Sequence, residues 1–191
     1  MTPQLVLASA SPRRSELLRQ IGIRHLIHAV DIDETPWPGE SPLAYVERVA
    51  SEKSAACRAL RGDALPVLAA DTSVVCDGEI MGKPENGRHA ARMLTRLSGR
   101  EHQVYSAVSL RGDGHWQAVS VSRVKFRCLS EAEIGAYWDS GEPRDKAGGY
   151  AIQGLASIFI ESITGSFSGV MGLPLFETAQ LLAKQGIRVI A

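Results

Sequence analysis

The chain has 191 residues, 45% of them hydrophobic and 22% charged, and its 21 basic residues balance its 21 acidic residues. A broad nucleic-acid-binding surface needs an excess of Lys and Arg, so this balance argues against a nucleic-acid polymer as a partner. No apolar run approaches the ~20 residues of a membrane span and no signal peptide is evident, so we expect a cytoplasmic protein that does not bind membranes. The length supports one domain over residues 1–191, with one core or two small lobes around a cleft.

In the first half of the chain, predicted strands and helices alternate. The periodicity of apolar residues and the turn residues predict a strand at 4–8, a helix at 13–21, a strand at 25–30, the acidic loop DIDETPWPGES, a helix at 42–61, and then a strand and hairpin in LPVLAADTSVVCDGEIMGKP that turns at Asp77-Gly78.

The second half combines long strands with shorter helices. We predict a helix at 86–97, two strands at 102–110 and 116–128 with a register break near Ser122–Arg123, and a helix at 131–139. A loop or irregular strand at PRDKAGGYAIQG, a strand at 157–163 and a helix at 173–185 follow. Because hairpins occur among the crossovers, the pattern predicts an α/β fold with a mixed sheet.

Two arginines, Arg13 and Arg14, fall in the first turn of the first helix, after the candidate cap Ser11 and Pro12. A helix start already carries about half a positive charge, so each cation there opposes the helix dipole by roughly 0.3–1 kcal/mol unless an anion binds. The pattern is compatible with a phosphate site. It is equally compatible with two side chains that bend into solvent or reach a distant carboxylate.

Lys53 and Asp71 are predicted at positions where a charge is costly. Lys53 follows Val49 by four residues and Ala50 by three, on the apolar stripe of the long helix. It therefore needs a partner or a functional role, or it snorkels at the edge of the stripe. Asp71 interrupts an apolar strand, where a carboxylate must be paired, hydrogen-bonded or bound to a metal; the alternative is an Asp that caps a turn.

Two further candidates lie in loops. Glu34 ends the acidic run Asp31-Ile32-Asp33-Glu34, whose carboxylates suit a hard cation, although a solvated loop explains the run on its own. Lys83 follows the hairpin and adds a cation. The chain has no GxGxxG, GxxxxGK[ST] or GxSxG motif, which argues against Rossmann, P-loop and α/β-hydrolase sites. Phosphate-type cations together with metal- or base-type carboxylates point to Mg²⁺-assisted phosphoanhydride chemistry.

Eight motifs in register resemble one known family. LASASPRRSELL, DIDE, ASEKSAA, AADTSVV, GKP, LSGREHQVYSAV, SGEPRDKAGGYAIQG and GVMGLPL occur in order between about residue 4 and about residue 185 and together resemble the Maf family of nucleotide pyrophosphatases. The resemblance implies a twisted mixed sheet flanked by helices, in two lobes around a substrate cleft. It also implies hydrolysis of a nucleoside triphosphate between its α and β phosphates, with Mg²⁺ or Mn²⁺ as the divalent cation. DKAGGYAIQG resembles the branch that acts on dTTP and UTP.

The resemblance also implies roles for individual residues. Asp71 is expected to accept the proton of the attacking water, with Lys53 and Lys83 as further catalytic residues. Glu34 is expected to hold the metal together with Asp71. The expected substrate-binding residues are Ser9, Arg13, Arg14, Thr72 and Gln153, of which Arg13, Thr72 and Gln153 match positions associated with substrate choice. A homodimer is the assembly that the family suggests.

Two positions depart from the family pattern, and two alternative functions stay open. Ser73 stands where an apolar residue is expected, and Gly169 stands where a larger or polar residue is usual. The first alternative is a pyrophosphatase for 7-methyl-GTP or other modified nucleotides. The second is a non-catalytic nucleotide-binding regulator of cell division, which would not need a general base at Asp71.

Overall fold

The computed structural model describes residues 2–62 and 64–190. Its strands and helices are β1 (Leu5–Leu7), α1 (Pro12–Gln20), β2 (His25–Ile27), α2 (Pro42–Arg61), β3 (Val67–Cys76), β4 (Glu79–Met81), α3 (Gly87–Leu97), β5 (Glu101–Arg111), β6 (His115–Phe126), α4 (Glu131–Asp139), β7 (Ile160–Thr164), α5 (Phe167–Met171) and α6 (Leu175–Lys184). Short 3₁₀ turns cover Ala147–Gly149 and Leu155–Phe159. None of the helices in these ranges has a stretch long and apolar enough to span a bilayer.

All of the strands join one mixed sheet. Its order is β2-β1-β3-β5-β6-β7, and β4 pairs with β3 as well. The pairs β1–β2 and β1–β3 are parallel, whereas β3 pairs antiparallel with β4 and β5, and β6 pairs antiparallel with β5 and β7. The parallel pairs come from the helix-containing crossovers at the start of the chain. Of the four antiparallel pairs, β3–β4 and β5–β6 are hairpins, and β3–β5 and β6–β7 are joined by longer connections that contain α3 and α4. The predicted mixed α/β sheet with flanking helices is confirmed.

The edge of β3 that faces away from β5 is divided between two strands. β5 pairs along one edge from Val67 to Val75. On the other edge, β1 pairs at Val67 and Leu68, and β4 pairs at Val74 to Cys76. Within the described chain, residues 69–73 have no strand partner on that edge. The sheet therefore parts in the middle of β3, and a gap opens there.

Separate hydrophobic clusters lie on either side of this gap. One cluster joins α1, α6 and the beginning of β3, with Leu5, Leu18 and Leu68 fully buried. The other joins α3, α4 and the end of β3, with Leu94 and Phe126 fully buried. Since each half of the sheet has its own packed cluster, the fold presents two lobes with the gap between them.

Strand β6 differs from its prediction. The predicted register break near Ser122–Arg123 is wrong, because β5 and β6 pair without a shift from His115 to Lys125. The irregularity instead lies between Lys125 and Phe126, against β7. The valine pattern misled the prediction because Ser122 is buried whereas Val121 is 45% exposed.

The segment before the last helix also differs from its prediction. The strand expected at 157–163 begins only at Ile160, after a 3₁₀ turn. The helix expected at 173–185 is preceded by α5, which was not predicted from the sequence. The Ser166 hydroxyl caps α5 by accepting a bond from the Gly169 amide, and Gly172 ends it at a φ of 118°. This short helix brings the Gly172 carbonyl to the gap in the sheet.

Gly148 holds the 3₁₀ turn of residues 147–149 directly against β3. Its φ is +67°, and its amide donates a 3.0 Å bond to the Gly82 carbonyl. A Cβ atom at this position would lie 2.9 Å from the Val74 Cβ. Only glycine therefore fits there, both because of its backbone conformation and because of this close approach.

We expect Gly148→Ala to destabilise the fold more than Gly149→Ala. Both positions are left-handed, which costs an alanine about 1–2 kcal/mol, but Gly149 has only ordinary van der Waals neighbours. Overpacking against Val74 adds about 1–3 kcal/mol at Gly148 alone. Urea unfolding of the two variants measures the difference, and equal free energies of unfolding would contradict the close approach.

His102 is a buried histidine that ties β5 to the segment after this turn. Its Nε2 atom lies 2.8 Å from the Tyr150 hydroxyl, and its ring packs edge-on against Phe126 with centroids 5.1 Å apart. Burial lowers the pKa of His102 from 6.5 to about 4. The side chain is therefore neutral in the folded protein at neutral pH.

His102 should make stability fall as the medium is acidified. Below pH 6.5 the unfolded chain binds a proton at this residue, whereas the folded chain does not bind it until the pH falls to about 4. This linkage removes about 2 kcal/mol between pH 7.5 and pH 5. In His102→Gln, the free energy of unfolding should fall less steeply over the same range. Parallel pH curves for the two proteins would show that His102 titrates normally.

Candidate active site

A cleft of about 1260 Å³ fills the gap beside β3. Its walls come from the loop after β1, the start of α1, the acidic loop before α2, the hairpin end, the loop before the second 3₁₀ turn and the end of α5. All of the site residues predicted from the sequence line this cleft: Ser9, Arg13, Arg14, Glu34, Lys53, Asp71, Thr72, Lys83 and Gln153. Their proximity is thus observed, whereas their roles stay predictions.

The centre of the cleft is a lysine between two carboxylates. The Lys53 Nζ atom lies 2.9 Å from Asp71 Oδ1 and 3.0 Å from Glu34 Oε1. Lys53 is 9% exposed and Asp71 6%, while the Glu34 side chain is 47% exposed. Lys53 therefore has partners and does not snorkel into solvent. Asp71 does not cap a turn, because it lies within β3 and pairs its backbone with Ala107.

The packing of α2 places Lys53 between the two carboxylates. The apolar side chains Val46, Val49 and Ala50 of α2 are fully buried, and they pack on the sheet face that contains Ala107. Lys53 continues the same helical stripe and so points at the same face, where Asp71 projects from β3. In the described chain, Asp71 Oδ2 accepts no protein hydrogen bond, so one carboxylate oxygen is held and the other is available.

The two arginines of α1 are anchored by carbonyl groups. Arg14 donates from Nε to the Gly172 carbonyl at 2.8 Å and from Nη1 to the Ser9 hydroxyl at 3.1 Å. Arg13 donates from Nε to the Met171 carbonyl at 3.4 Å. Neither forms an ion pair with a carboxylate in residues 2–62 or 64–190. Neutral carbonyls orient these guanidinium groups without cancelling their charge, and this arrangement favours an anion in the cleft.

The start of α1 differs from prediction in one detail. Ser11 occupies the N-cap position, but its side chain makes no capping hydrogen bond. The Ser11 amide instead donates to the Ser9 hydroxyl at 3.2 Å, and Ser9 also accepts from Arg14. Burial lowers the pKa of Arg14, while the nearby Asp71 charge acts in the opposite direction. Arg14 remains charged, because a guanidinium group is not deprotonated in proteins.

Thr72 faces the opposite side of β3 from Asp71 and joins a hydroxyl chain. Its Oγ1 atom lies 2.8 Å from the Ser106 hydroxyl, which donates a 2.6 Å bond to the Gly169 carbonyl. Because Ser106 uses its proton on Gly169, Thr72 is the donor to Ser106 and keeps free lone pairs for a ligand. A Cβ at Gly169 would lie 3.1 Å from the Ser166 Cβ, so the tight first turn of α5 suits this departure from the family pattern. Ser73, the other departure, is buried beside the cleft.

Lys83 and Gln153 line the cleft from exposed positions in loops. Neither side chain has a hydrogen bond or an ion pair with another residue in the described ranges. Their positions are consistent with contact to a ligand, but the structure gives no contact that assigns a role to either. They stay predicted site residues.

Lys146 and Tyr45 are among the cleft residues that were not assigned to the site from the sequence. Lys146 donates to the Arg144 carbonyl, and its pKa is lowered by burial and by the charge of Arg13. The Asp145-Lys146 pair in the glycine-rich loop was the available signal. Tyr45 donates from its hydroxyl to the Glu34 carbonyl at 2.9 Å, and burial raises its pKa to about 12. A tyrosine on an apolar helix face looks like a core residue, so no sequence signal marked it.

The donor set fits a hard divalent cation only with help from a substrate. No group of three or more His, Cys, Asp or Glu side chains is arranged around a common point in the described part of the chain. Glu34 and Asp71 are nevertheless close together, since both lie about 3 Å from the same ammonium nitrogen. Mg²⁺ is commonly bound by one or two carboxylates together with phosphate oxygens and water. These two side chains fit that pattern.

A model of the family described as Maf-like protein matches residues 4–185 of the chain. The chain belongs to the Maf family. It is 58% identical to a dTTP/UTP pyrophosphatase of Methylococcus capsulatus, over 96% of this chain and 92% of that protein. It is 54% identical to a dTTP/UTP pyrophosphatase of Nitrosomonas europaea, over 97% and 96%. A Staphylococcus aureus Ham1 protein aligns in structure with a TM-score of 0.47 and 17% identity, over 64% of this chain and 71% of the other.

The Lys53–Asp71 pair should be strongly coupled in stability. Lys53→Met leaves the Asp71 charge without its buried partner, which we expect to cost about 3–5 kcal/mol. Adding Asp71→Asn removes the stranded charge, so the double variant should be more stable than the sum of the two single losses predicts. Urea unfolding of all four proteins gives this coupling energy. Additive losses would mean that the two groups do not interact in solution.

Proposed function

We propose that this Maf protein hydrolyses nucleoside triphosphates, preferentially dTTP and UTP, to the monophosphate and pyrophosphate. The observation that carries the proposal is the buried carboxylate of Asp71, held by Lys53 in the cleft that also contains the guanidinium groups of Arg13 and Arg14, which have no carboxylate partner among the described residues. Such a cleft attracts a polyanion and offers it a base. The pyrimidine substrates are suggested by relatives at 58% and 54% identity that are named dTTP/UTP pyrophosphatases.

The cations of the cleft would bind the triphosphate. Arg13 and Arg14 extend from the first turn of α1, where backbone amides also point towards an anion. Lys83 and Lys146 contribute from the loops on the other wall. This set offsets the charge of the bound triphosphate and, later, the charge that builds on the leaving pyrophosphate.

Asp71 would act as the general base. Lys53 fixes the Oδ1 atom and leaves Oδ2 free to accept a proton from a water molecule. The water oxygen then bonds to the α phosphorus, the bond from that phosphorus to the oxygen bridging to the β phosphorus breaks, and pyrophosphate leaves with the electron pair. The ammonium of Lys53 favours the ionised form of Asp71 before the reaction, because an opposite charge at 2.9 Å stabilises a carboxylate.

Glu34 and Asp71 would hold a divalent cation, Mg²⁺ or Mn²⁺, together with phosphate oxygens. When bound, the cation supplies positive charge at the phosphates. Gln153 carries both a donor and an acceptor, as recognition of a pyrimidine edge requires, and Thr72, which also lines the cleft, keeps acceptor capacity. A homodimer and a cytoplasmic location stay predictions of the family resemblance and the sequence.

A nucleotide panel tests the function directly. Purified protein is incubated with dTTP, UTP, the other standard triphosphates and 7-methyl-GTP in Mg²⁺ or Mn²⁺, and pyrophosphate and orthophosphate are measured separately. We expect pyrophosphate, formed fastest from dTTP and UTP. Pyrophosphate mainly from 7-methyl-GTP would keep the chemistry and reject the pyrimidine preference. Orthophosphate alone would reject α–β cleavage, and binding without any release would support the non-catalytic regulator.

Replacement of the proposed base tests its role within the same assay. Asp71→Asn should lower kcat by about 10²–10⁴-fold, because general-base catalysis contributes this much, while nucleotide binding is retained. Asp139→Asn makes the same chemical change at an exposed position at the end of α4, outside the cleft, and should leave kcat unchanged. Turnover retained in Asp71→Asn would remove Asp71 from the mechanism.

A further inference from the structure

The acidic loop that carries Glu34 has no regular secondary structure, yet Glu34 reaches Lys53 in the cleft. The loop runs from residue 31 to residue 41, and most of its side chains are exposed. Such a segment has little buried surface to hold it in place. Its position must therefore come from specific contacts with the rest of the protein.

Arg48 of α2 supplies most of these contacts. Its guanidinium group forms two hydrogen bonds to Glu40, from Nε at 2.6 Å and from Nη2 at 2.8 Å. The Nη2 atom also donates to the Thr35 carbonyl at 3.1 Å, next to Glu34 in sequence. The plane of Trp37 lies under the guanidinium carbon at 4.2 Å from the ring centroid. One side chain thus contacts the loop at three separate points.

These contacts are shielded and mutually dependent. The side chain of Arg48 is 11% exposed and that of Glu40 is 6% exposed. Glu40 also accepts a 3.0 Å bond from the Trp37 amide, so the same carboxylate closes the loop on itself. Arg48 lowers the pKa of Glu40 to about 2, which keeps the pair ionised over the whole working range of pH.

The position of Arg48 on the helix links this anchor to the cleft. It lies one residue before Val49 on α2, and Lys53 follows five residues after it. Tyr45, one turn earlier, holds the Glu34 carbonyl at 2.9 Å. The helix therefore presents Lys53 to the Glu34 carboxylate, while Tyr45 and Arg48 hold the two successive backbone carbonyls of Glu34 and Thr35.

We infer that Arg48 is a positioning residue, which clamps the loop of residues 31–41 so that the Glu34 carboxylate stays at the Lys53–Asp71 centre. Arg48 does not line the cleft and does not act on the substrate itself. Its effect on the reaction passes through Glu34, and in this respect the inference rests on the proposed pyrophosphatase function. A purely structural Arg48 would instead affect stability alone.

The chain provides a closely matched control in Arg127. This arginine pairs with Glu133 at 2.6 Å, donates to the carbonyls of Ile158 and Cys128, and lies 5.3 Å from the ring centroid of Phe159. It therefore has the same types of contact as Arg48. None of its partners lines the cleft. The Arg127→Ala variant therefore shows how the loss of an arginine with these contacts affects the protein in general.

The test combines hydrogen exchange with a kinetic double-mutant cycle. Full-length wild-type protein, Arg48→Ala, Glu34→Ala, the double variant and Arg127→Ala are compared. In Arg48→Ala, amide exchange across residues 31–41 should become at least 10-fold faster, and the Trp37 amide should be among the affected sites. With dTTP, kcat/KM should fall by about 10- to 100-fold, because a small misplacement of a functional group costs this much. Arg127→Ala should change neither quantity.

The cycle separates action through Glu34 from a general defect. In the Glu34→Ala background, further loss of Arg48 should lower kcat/KM by less than 2-fold. An equal loss in both backgrounds would overturn the inference, and so would wild-type exchange of residues 31–41 in Arg48→Ala. Hydrogen exchange is measured without turnover, so it decides whether Arg48 holds the loop even if the protein has no activity. Absence of pyrophosphate release by the wild-type protein would reject the proposed function instead.

Discussion

The ammonium group of Lys53 between Asp71 and Glu34 is the interaction on which the site depends. A carboxylate in the middle of a central strand is unfavourable unless an opposite charge and hydrogen bonds compensate for its lost hydration. Lys53 supplies that compensation from a helix whose neighbouring side chains are fully buried. The core packing of α2 therefore fixes the position from which Lys53 reaches Asp71.

The divided edge of β3 explains why this contact lies in an accessible place. A strand has only two edges, and β3 uses one of them for β5 along most of its length. The other edge is shared by β1 and β4, which approach from opposite ends and leave the middle of the strand open. Asp71 and Thr72 lie in that open stretch and point to opposite faces. A single strand thus presents a charged group and a hydroxyl to the two sides of one cleft.

The positions of those site residues that break local rules could be predicted from the sequence itself, whereas several substrate-binding candidates came only from the family resemblance. Lys53 on an apolar stripe and Asp71 inside an apolar strand are conspicuous in the sequence, and the α2 bounds of 42–61 follow from clear cap and stop signals. The choice of which strand side chains are buried was less predictable. In β6, small serines occupy buried positions while Val121 is exposed, so apolar periodicity gave the wrong register break.

Residues that act through backbone contacts could not be found in this way. Tyr45 and Arg48 are ordinary members of an amphipathic helix, and their importance arises from carbonyl groups more than ten residues away. The sequence also could not show that Arg13 and Arg14 are oriented by the Met171 and Gly172 carbonyls, because that contact depends on α5, which was missed. A sequence pattern contains the residue type at a position but not the distant backbone atoms that surround it.

The bond from Arg14 to the Gly172 carbonyl joins residues 158 positions apart in the chain. A growing polypeptide on the ribosome therefore has its first helix long before it has the carbonyl that orients Arg14. Contacts between such distant segments are slow to form, since closing a long loop must precede them. The complete cleft therefore forms only after the segment of α5 has been synthesised. Shorter nascent chains contain Asp71 and Lys53 but lack the carbonyl groups that orient the two arginines.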